Sequence, residues 1–508
     1  MDTKLYWSLC LTGVVSLLLS AGCDSETTST TAGDSAATET VAGDSVAADT
    51  ATPEDTGTPE DTGAPEDTGT PEDTAAPEDT ATPQDTGPLE EVADTAVPPE
   101  DTTPPEDVPG PDNPPQFGQA IPVSDQFFTS MGVISLAIDE AGRVSAFFAH
   151  KSLESNASEV VVAVSNPEVT LFEEPIPVET LPGGGQLDGD LLIADGDHLM
   201  VWRAHSEDGS QAEVHFRRAA LPDLSGENIL VGSASTSAGM YRPYLVRATP
   251  WMVFAIWEQS NDLRVARSED VGATFAPPVA VPVNGSAPVS DAVYMSPGRL
   301  VIAYQGQLPG GSSSTILAIV SEDNGESFSD PIHIAAGLTD GTLHYPSMAY
   351  SPPNNLYVAW HRKGPDGWMT STVDGLAWTA PSALPIASTN VLLRAGKGST
   401  LYVAGLDNKA LTGGALAFLV TPDAGGEFWN PGFAPSKPGY IILPTYDVVA
   451  DRKNGRLHAA WWEMEVGPKD ACTEELPCGP GFKCVSEQCI PDGCTSTCSR
   501  LRLATVDS

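Results

Sequence analysis

Two positions in this sequence repeatedly carry side chains able to act on a ligand. Arg242, Asp291, Tyr345, Asn390, Tyr446 and Asp447 open short apolar segments, and His150, His205, Glu258, His361, Arg362, Asp407 and Glu463 close or follow others. Guanidinium groups bind carboxylates, and carboxyl, imidazole and phenol groups move protons once burial or a neighbour shifts their pKa. Such roles require the side chains to converge, so the fold must bring them to one end. The ligand-binding residues expected from these positions are Arg242, Tyr345, His361, Arg362, Asp447 and Glu463. No cofactor and no metal are expected: His344 and His361 are not at metal-ligand spacing, and Gly183-Gly184-Gly185 lacks the following helix and Lys of a phosphate loop.

Cysteine usage points to an exported protein. Of eight cysteines, Cys472, Cys478, Cys484, Cys489, Cys494 and Cys498 crowd together, and an even, dense set reads as a disulfide-stapled module in an oxidising compartment. Their pairing is open. A zinc cluster would show C-x-x-C pairs and histidine, and the segment has neither. At the N-terminus, Lys4 supplies a positive charge, Leu5 to Leu19 an apolar run, and Leu19-Ser20-Ala21-Gly22-Cys23 a small-residue cleavage site. The run is too short to span a bilayer comfortably, so residues 1–22 are expected to be a signal peptide that contains Cys10. The site resembles a bacterial lipobox, which implies lipidation of Cys23; cleavage by an ordinary signal peptidase is the alternative. Several acyl chains on one cysteine hold a protein stably, at roughly 0.8 kcal/mol per buried methylene. The expected location is the bacterial cell envelope, lipid-anchored at the outer membrane, on its periplasmic or surface side.

Residues 23–115 are Thr, Pro, Ala, Gly, Glu and Asp with almost no branched apolar or aromatic side chains. Such a segment cannot bury enough surface to offset its ordering entropy, so disorder is expected. Pro53-Glu54-Asp55-Thr56-Gly57-Thr58 recurs every six residues up to Pro83-Gln84-Asp85-Thr86, which keeps the segment extended as a tether. No Lys or Arg stands between Lys4 and Arg143, so more than half of the net charge of −45 belongs to this stretch. A polyanion of this kind argues against nucleic acid or an anionic membrane face as partner.

From Phe117 onward, short apolar runs alternate with Gly, Pro, Asn and Asp, which is a pattern of strands. A longer period lies above it. Ser268-Glu269-Asp270-Val271-Gly272-Ala273-Thr274-Phe275 recurs as Ser321-Glu322-Asp323-Asn324-Gly325-Glu326-Ser327-Phe328 and as Thr421-Pro422-Asp423-Ala424-Gly425-Gly426-Glu427-Phe428. Ser371 to Trp378 is a decayed copy, Ser165 to Phe172 keeps only its two ends, and a copy is missing near Phe216. The chemistry is that of a turn: hydroxyl and carboxylate accept from exposed amides, Gly takes positive φ, and the aromatic is buried beneath. Seven further strands end in aromatics, among them Met252-Val253-Phe254-Ala255-Ile256-Trp257 and Leu356-Tyr357-Val358-Ala359-Trp360. Seven units of about fifty residues imply an all-β propeller of seven four-stranded blades, with six as the alternative, over residues 116–508 and with residues 472–498 as an insertion. The first strand, Phe117 to Val123, looks like one that follows a turn motif, and the last, Leu501 to Asp507, stops where one would begin. The two are expected to pair and close the ring.

The octets resemble the Asp box, also called the BNR repeat, of sialidases and related propellers. This resemblance implies that the boxes lie on the side opposite the active site and that their aspartates are structural. It also implies that the insertion and the polar positions named above share the other, loop-rich end. Sialidases use three arginines for a carboxylate, a Tyr with a Glu partner as nucleophile, and an Asp acid. Tyr241-Arg242-Pro243 is similar to the family's Y/F-R-I-P motif without its isoleucine, so Arg242, Tyr446 and Glu258 are the catalytic candidates the resemblance implies. The chain holds few arginines, 15 in all, and two further members of a triad are not marked by motif. The sequence therefore points first to a monomeric binding propeller that takes a glycan or a cell-envelope protein. A sialidase-like exo-glycoside hydrolase is the alternative, and a purely structural envelope protein is a third class.

Overall fold

The computed structural model describes residues 117–507 except 125–130, 152–156, 182–187, 284–288, 296–297, 312, 339–342, 352–354, 363–365, 408–414, 423–425, 434–439, 466–481, 486–487 and 492–498. The expected signal peptide, Cys23, the tether, Cys472, Cys478, Cys494 and Cys498 lie outside the described residues. Cys484 and Cys489 are register partners in the backbone of a small hairpin, Phe482–Val485 with Gln488–Pro491.

Seven antiparallel sheets of four strands follow one another along the chain, so the six-bladed alternative is set aside. Blade 1 is Met131–Ile138, Val144–Lys151, Ser158–Val164 and Ile176–Leu181. Blade 2 is Gly189–Ala194, Asp197–His205, Gln211–Ala220 and Ile229–Ser235. Blade 3 is Met240–Arg247, Val253–Gln259, Asp262–Ser268 and Val279–Pro282. Blade 4 is Ser290–Met295, Arg299–Gln307, Ser314–Ser321 and Ile332–His333. Blade 5 is Leu343–Ser351, Asn355–Arg362, Asp366–Thr372 and Ser382–Ala387. Blade 6 is Thr389–Ala395, Leu401–Asp407, Ala415–Thr421 and Trp429–Phe433. Blade 7 takes Tyr440–Asp451, Arg456–Glu465 and Ser499–Asp507 from the end of the chain and Ile121–Pro122 from its beginning.

That composite blade closes the ring. Ile121 and Pro122 pair with Leu503 and Arg502, and Phe117 bridges to Val506, so the C-terminal strand is covered on its outer side and is not left as an open edge. One hydrophobic cluster fills each junction between neighbouring blades. The second strands read as unbroken apolar runs because both their faces are covered: Trp202, Trp257, Trp360, Trp461 and Trp462 are among the largest fully buried side chains. At the junction of blades 7 and 1, Phe148 meets the edge of Trp462 with centroids 5.8 Å apart.

The first strands of successive blades contact one another around the ring, and a belt of hydrogen bonds joins them. Ser135 of blade 1 accepts from Leu191 N of blade 2 (3.1 Å), Asp190 of blade 2 from Leu245 N of blade 3 (2.8 Å), and Tyr244 of blade 3 shares a bond with Ser290 of blade 4 (3.1 Å). Asp291 of blade 4 accepts from Met348 N of blade 5 (2.7 Å), and Ser347 of blade 5 from Leu393 N of blade 6 (3.0 Å). Arg394 of blade 6 donates to Val448 O (2.7 Å) and to Asp447 (2.7 Å) of blade 7, and Asp447 accepts from Leu136 N of blade 1 (2.8 Å). Each bond satisfies an inner-strand group that would otherwise be buried unpaired.

The octet turns all join third to fourth strands, at one end of the ring. In blade 3, Gly272 N donates to Ser268 Oγ (2.7 Å), and Thr274 donates through N (2.8 Å) and Oγ1 (2.7 Å) to Asp270. In blade 4, Gly325 N donates to Ser321 Oγ (2.7 Å) and Ser327 N to Asp323 (2.9 Å). Gly272 has φ +87°, and a Cβ there would lie 2.2 Å from the Phe216 ring of the preceding blade. The turn therefore also staples two blades together. Two details differ from the sequence register. The blade 5 turn is anchored by Thr372, not Ser371: Thr372 Oγ1 accepts from Gly375 N (2.9 Å), one residue closer to the aromatic Trp378. In blade 1, Pro167 replaces the aspartate and Asn166 takes over, accepting from Thr170 N (2.8 Å) and Leu171 N (3.2 Å).

Candidate functional site

Strand direction assigns the two ends. The 1–2 and 3–4 turns share the octet end, so first strands begin, and second strands finish, at the opposite end, which we call the crown. The insertion leaves from the crown, since Met464 and Ser499 pair where it departs and returns.

Three crown side chains are delivered by the same backbone device. The first strands of blades 3, 5 and 6 are interrupted by bulges between Tyr241 and Tyr244, His344 and Ser347, and Thr389 and Leu392. Arg242, Tyr345 and Asn390 sit in these bulges at φ +49°, +52° and +60°. A bulge with a left-handed residue redirects a side chain that regular alternation would send elsewhere.

Arg242 lies above the ring of Tyr345, with its guanidinium carbon 5.6 Å from the centroid. Blade 4 separates the two residues in the ring, so they meet over the mouth of the central channel. On its other side Arg242 Nη1 is 3.8 Å from Glu258 Oε1, the last buried position of the second strand of blade 3. Glu258 is only 3% exposed, and burial pushes its carboxyl up to about 8 against the opposing pull of Arg242. Tyr345 stacks on His361 of the neighbouring strand (centroids 5.4 Å, 18° between planes), and His344 lies 5.4 Å from the same imidazole. Burial and His344 hold His361 down at about 4, so it is neutral and can accept: Asn390 N donates to its Nδ1 (3.3 Å).

The other expected site residues sit elsewhere. Tyr446 is buried between blades 6 and 7 and donates its hydroxyl to Asn390 O; burial holds that hydroxyl well above its ordinary pKa. Asp447 belongs to the blade-joining belt, where burial raises its carboxyl and Arg394 opposes the rise. Glu463 forms an ion pair with Arg502 on the adjacent strand of blade 7, and Arg362 pairs with the exposed Asp366 (2.8 Å). Among the earlier crown positions, Asp291 is in the belt, His150 faces Glu159 of its own blade (3.5 Å), and His205 is exposed.

Sequence reasoning missed Arg203 and Asp188. Arg203 is buried, donates to Met240 O (2.6 Å), lies 5.3 Å from the Tyr241 centroid, and stands 3.9 Å from Asp188. The signal was a lone charge within the apolar run Leu199-Met200-Val201-Trp202-Arg203-Ala204. Among the described residues, no group of three or more His, Cys, Asp or Glu side chains is placed to hold a metal ion.

No protein-family model and no curated protein matches this sequence. Solved structures do match by shape. An ulvan lyase of the polysaccharide lyase type, determined with a bound glucuronate–sulfated rhamnose unit, aligns at a TM-score of 0.49 and 10% identity, over 68% of this chain and 93% of its own. The α-L-arabinofuranosidase of Fusarium graminearum aligns at 0.44 and 12%, over 60% and 98%. The six-bladed fucose-binding lectin of Aleuria aurantia aligns at 0.39 and 11%, over 61% and 97%. At these identities and scores the likeness says nothing of what this chain binds.

Proposed function

We propose that the crown is a saccharide-binding surface, carried on a tether from a lipidated Cys23 in the bacterial cell envelope. The observation that carries this reading is the meeting of Arg242, Tyr345, His361 and Glu258 from two non-adjacent blades over the channel mouth. Arg242 covers one face of Tyr345 and His361 stacks against the ring, so the mouth offers a cation, a phenol and a carboxyl as a few fixed polar groups, which suits a hydroxyl-bearing ring. The side chain of Arg242 is 37% exposed and so remains open to such a ring. In this reading the chain acts as a monomer, the octet turns are structural, and the insertion at the crown is a second contact region for a glycan or an envelope protein.

A sialidase-like exo-glycoside hydrolase is the second reading, and one observation favours it: Glu258 is held protonated near neutral pH, as a general acid must be. The experiment is a printed array of neutral and acidic oligosaccharides, probed with wild type and Arg242→Ala, beside a fluorogenic sialoside assay. Binding lost with Arg242 is expected, and binding that survives the substitution refutes the site. Sialoside turnover by wild type that Arg242→Ala abolishes would replace the binding reading with the hydrolytic one.

A further inference from the structure

Register pairs at the belt level, such as Asp190 with Val201 in blade 2 and Ser347 with Ala359 in blade 5, mark the same position in every blade. Two residues further along the second strand, towards the crown, blades 2 to 5 carry Arg203, Glu258, Gln305 and His361. Blades 6, 7 and 1 carry Leu406, Trp462 and Ala149 there, all buried. The ring thus accepts apolar side chains at this level, and a buried polar group costs stability unless it is paired. The polar set is not required by the fold, and it is confined to one arc of four successive blades.

On this arc Asp188 stands two residues before the belt level in blade 2, where blade 3 has Arg242 and blade 5 has Tyr345. Its carboxylate lies 3.9 Å from Arg203, and its charge acts on both Arg242 and Glu258. Tyr241, next to Arg242, is braced by the Arg203 guanidinium 5.3 Å from its ring centroid, and Arg203 is held in turn by Met240 O (2.6 Å). Arg203 is therefore a support. Tyr241 is half-buried and the Asp188 side chain is 22% exposed, so a phenol and a carboxylate reach solvent beside Arg242. Contacts run unbroken from Asp188 through Arg203 to Tyr241, and from Arg242 through Tyr345 to His361.

We propose that the crown takes a chain of at least two sugar units lying along the arc of blades 2 to 5, with one unit at Arg242 and Tyr345 and the next at a second subsite made by Tyr241 and Asp188. The proposal rests on the saccharide reading above and names the ligand class within it. The first subsite pairs a phenol with a guanidinium, which only donates, and the second pairs a phenol with a carboxylate, which accepts. Two subsites of different polarity on one arc fix the direction of the chain as well as its place.

The test is an array printed with homo-oligomers of hexoses, pentoses and uronic acids, in graded lengths from single units upward, probed with full-length wild type, Asp188→Asn, Tyr241→Leu and Arg242→Ala. The wild-type signal should rise about tenfold or more on going from a single unit to a short oligomer, and then level. Asp188→Asn and Tyr241→Leu should each remove most of that rise, and Arg242→Ala should remove the signal at every length. A wild-type signal independent of length overturns the second subsite and leaves the saccharide reading standing, as does a rise that Asp188→Asn and Tyr241→Leu leave intact. A wild type that binds no oligomer overturns the saccharide reading and the proposal together. Thermal melting separates loss of the subsite from loss of the fold: Asp188→Asn keeps size and shape and should melt within about 3 °C of wild type. A larger fall would place the carboxylate in the support of Arg203 and overturn its assignment to a ligand.

Discussion

Replacing Glu258 by Gln should make the propeller more stable at neutral pH, although it removes a charge partner of Arg242. Glu258 ionises at about 8 in the fold, against an ordinary value of 4.5, because burial penalises its charged form more than Arg242 favours it. Below pH 4.5 the folded and unfolded chains both carry the proton, and no stability is lost. As pH rises past 4.5 the unfolded chain ionises first, so stability falls until the folded carboxyl also ionises near 8. The full loss is about 5 kcal/mol, of which about 3 kcal/mol is incurred by pH 7. In a domain of this size each kcal/mol moves Tm by roughly 1–2 °C. Melting wild type and Glu258→Gln between pH 5 and 9 should give a Tm difference that widens from pH 5 to 8 in favour of Gln, then levels. A difference that stays flat across this window would mean that Glu258 ionises at its ordinary value. The neutral acid required by the hydrolytic reading would then be absent.

Two further substitutions test what holds the ring. Gly272→Ala places a Cβ at φ +87° against the Phe216 ring and should cost about 2–4 kcal/mol in denaturant unfolding. Gly196→Ala has the same φ with open space around it and should cost only about 1 kcal/mol, so equal losses would refute the stapling role. Arg394→Met leaves the largely buried Asp447 without its cation and should cost about 2 kcal/mol at pH 8. That cost should shrink as pH falls, because burial already raises the Asp447 carboxyl and losing Arg394 raises it further, and a loss independent of pH would show that Arg394 acts through packing instead.

The architecture was legible because it is written in local, repeated chemistry. A turn that needs a hydroxyl, a carboxylate and a glycine at fixed offsets leaves the same trace each time it is built, as Ser268-Asp270-Gly272 and Ser321-Asp323-Gly325 do. The closing strand was legible because Phe117 to Val123 lacks the preceding turn that its type requires. Where a different residue can satisfy the same amides, the trace fades, as with Asn166 in blade 1 or Thr372 in blade 5. The site was less legible because its geometry depends on contacts far apart in sequence. Nothing local marks Tyr345 as lying under Arg242, and nothing local separates Asp447, tied to blades 6 and 1, from an open crown residue. Arg203 also reads as an exposed strand charge until Met240 O is seen to receive it.

The belt and the crown are linked by a spacing of two residues. Arg242 precedes Tyr244, Tyr345 precedes Ser347 and Asn390 precedes Leu392, and in blades 3 and 5 the second residue of the pair bonds the next blade. Fixing that residue by a bond to a neighbour fixes the depth of the bulge above it, whatever side chain the bulge carries. The side chain at the bulge is therefore relieved of holding the ring, which the belt, the seven junction clusters and the closing strand already do. Tyr446 and Asp447 show the same division in blade 7, where adjacent residues take opposite tasks: one hydroxyl grips the backbone of Asn390, while one carboxylate joins blade 7 to blade 1. A propeller built this way can exchange residues at the mouth at small cost in stability, because the bonds that set each bulge and hold each junction are made by other residues.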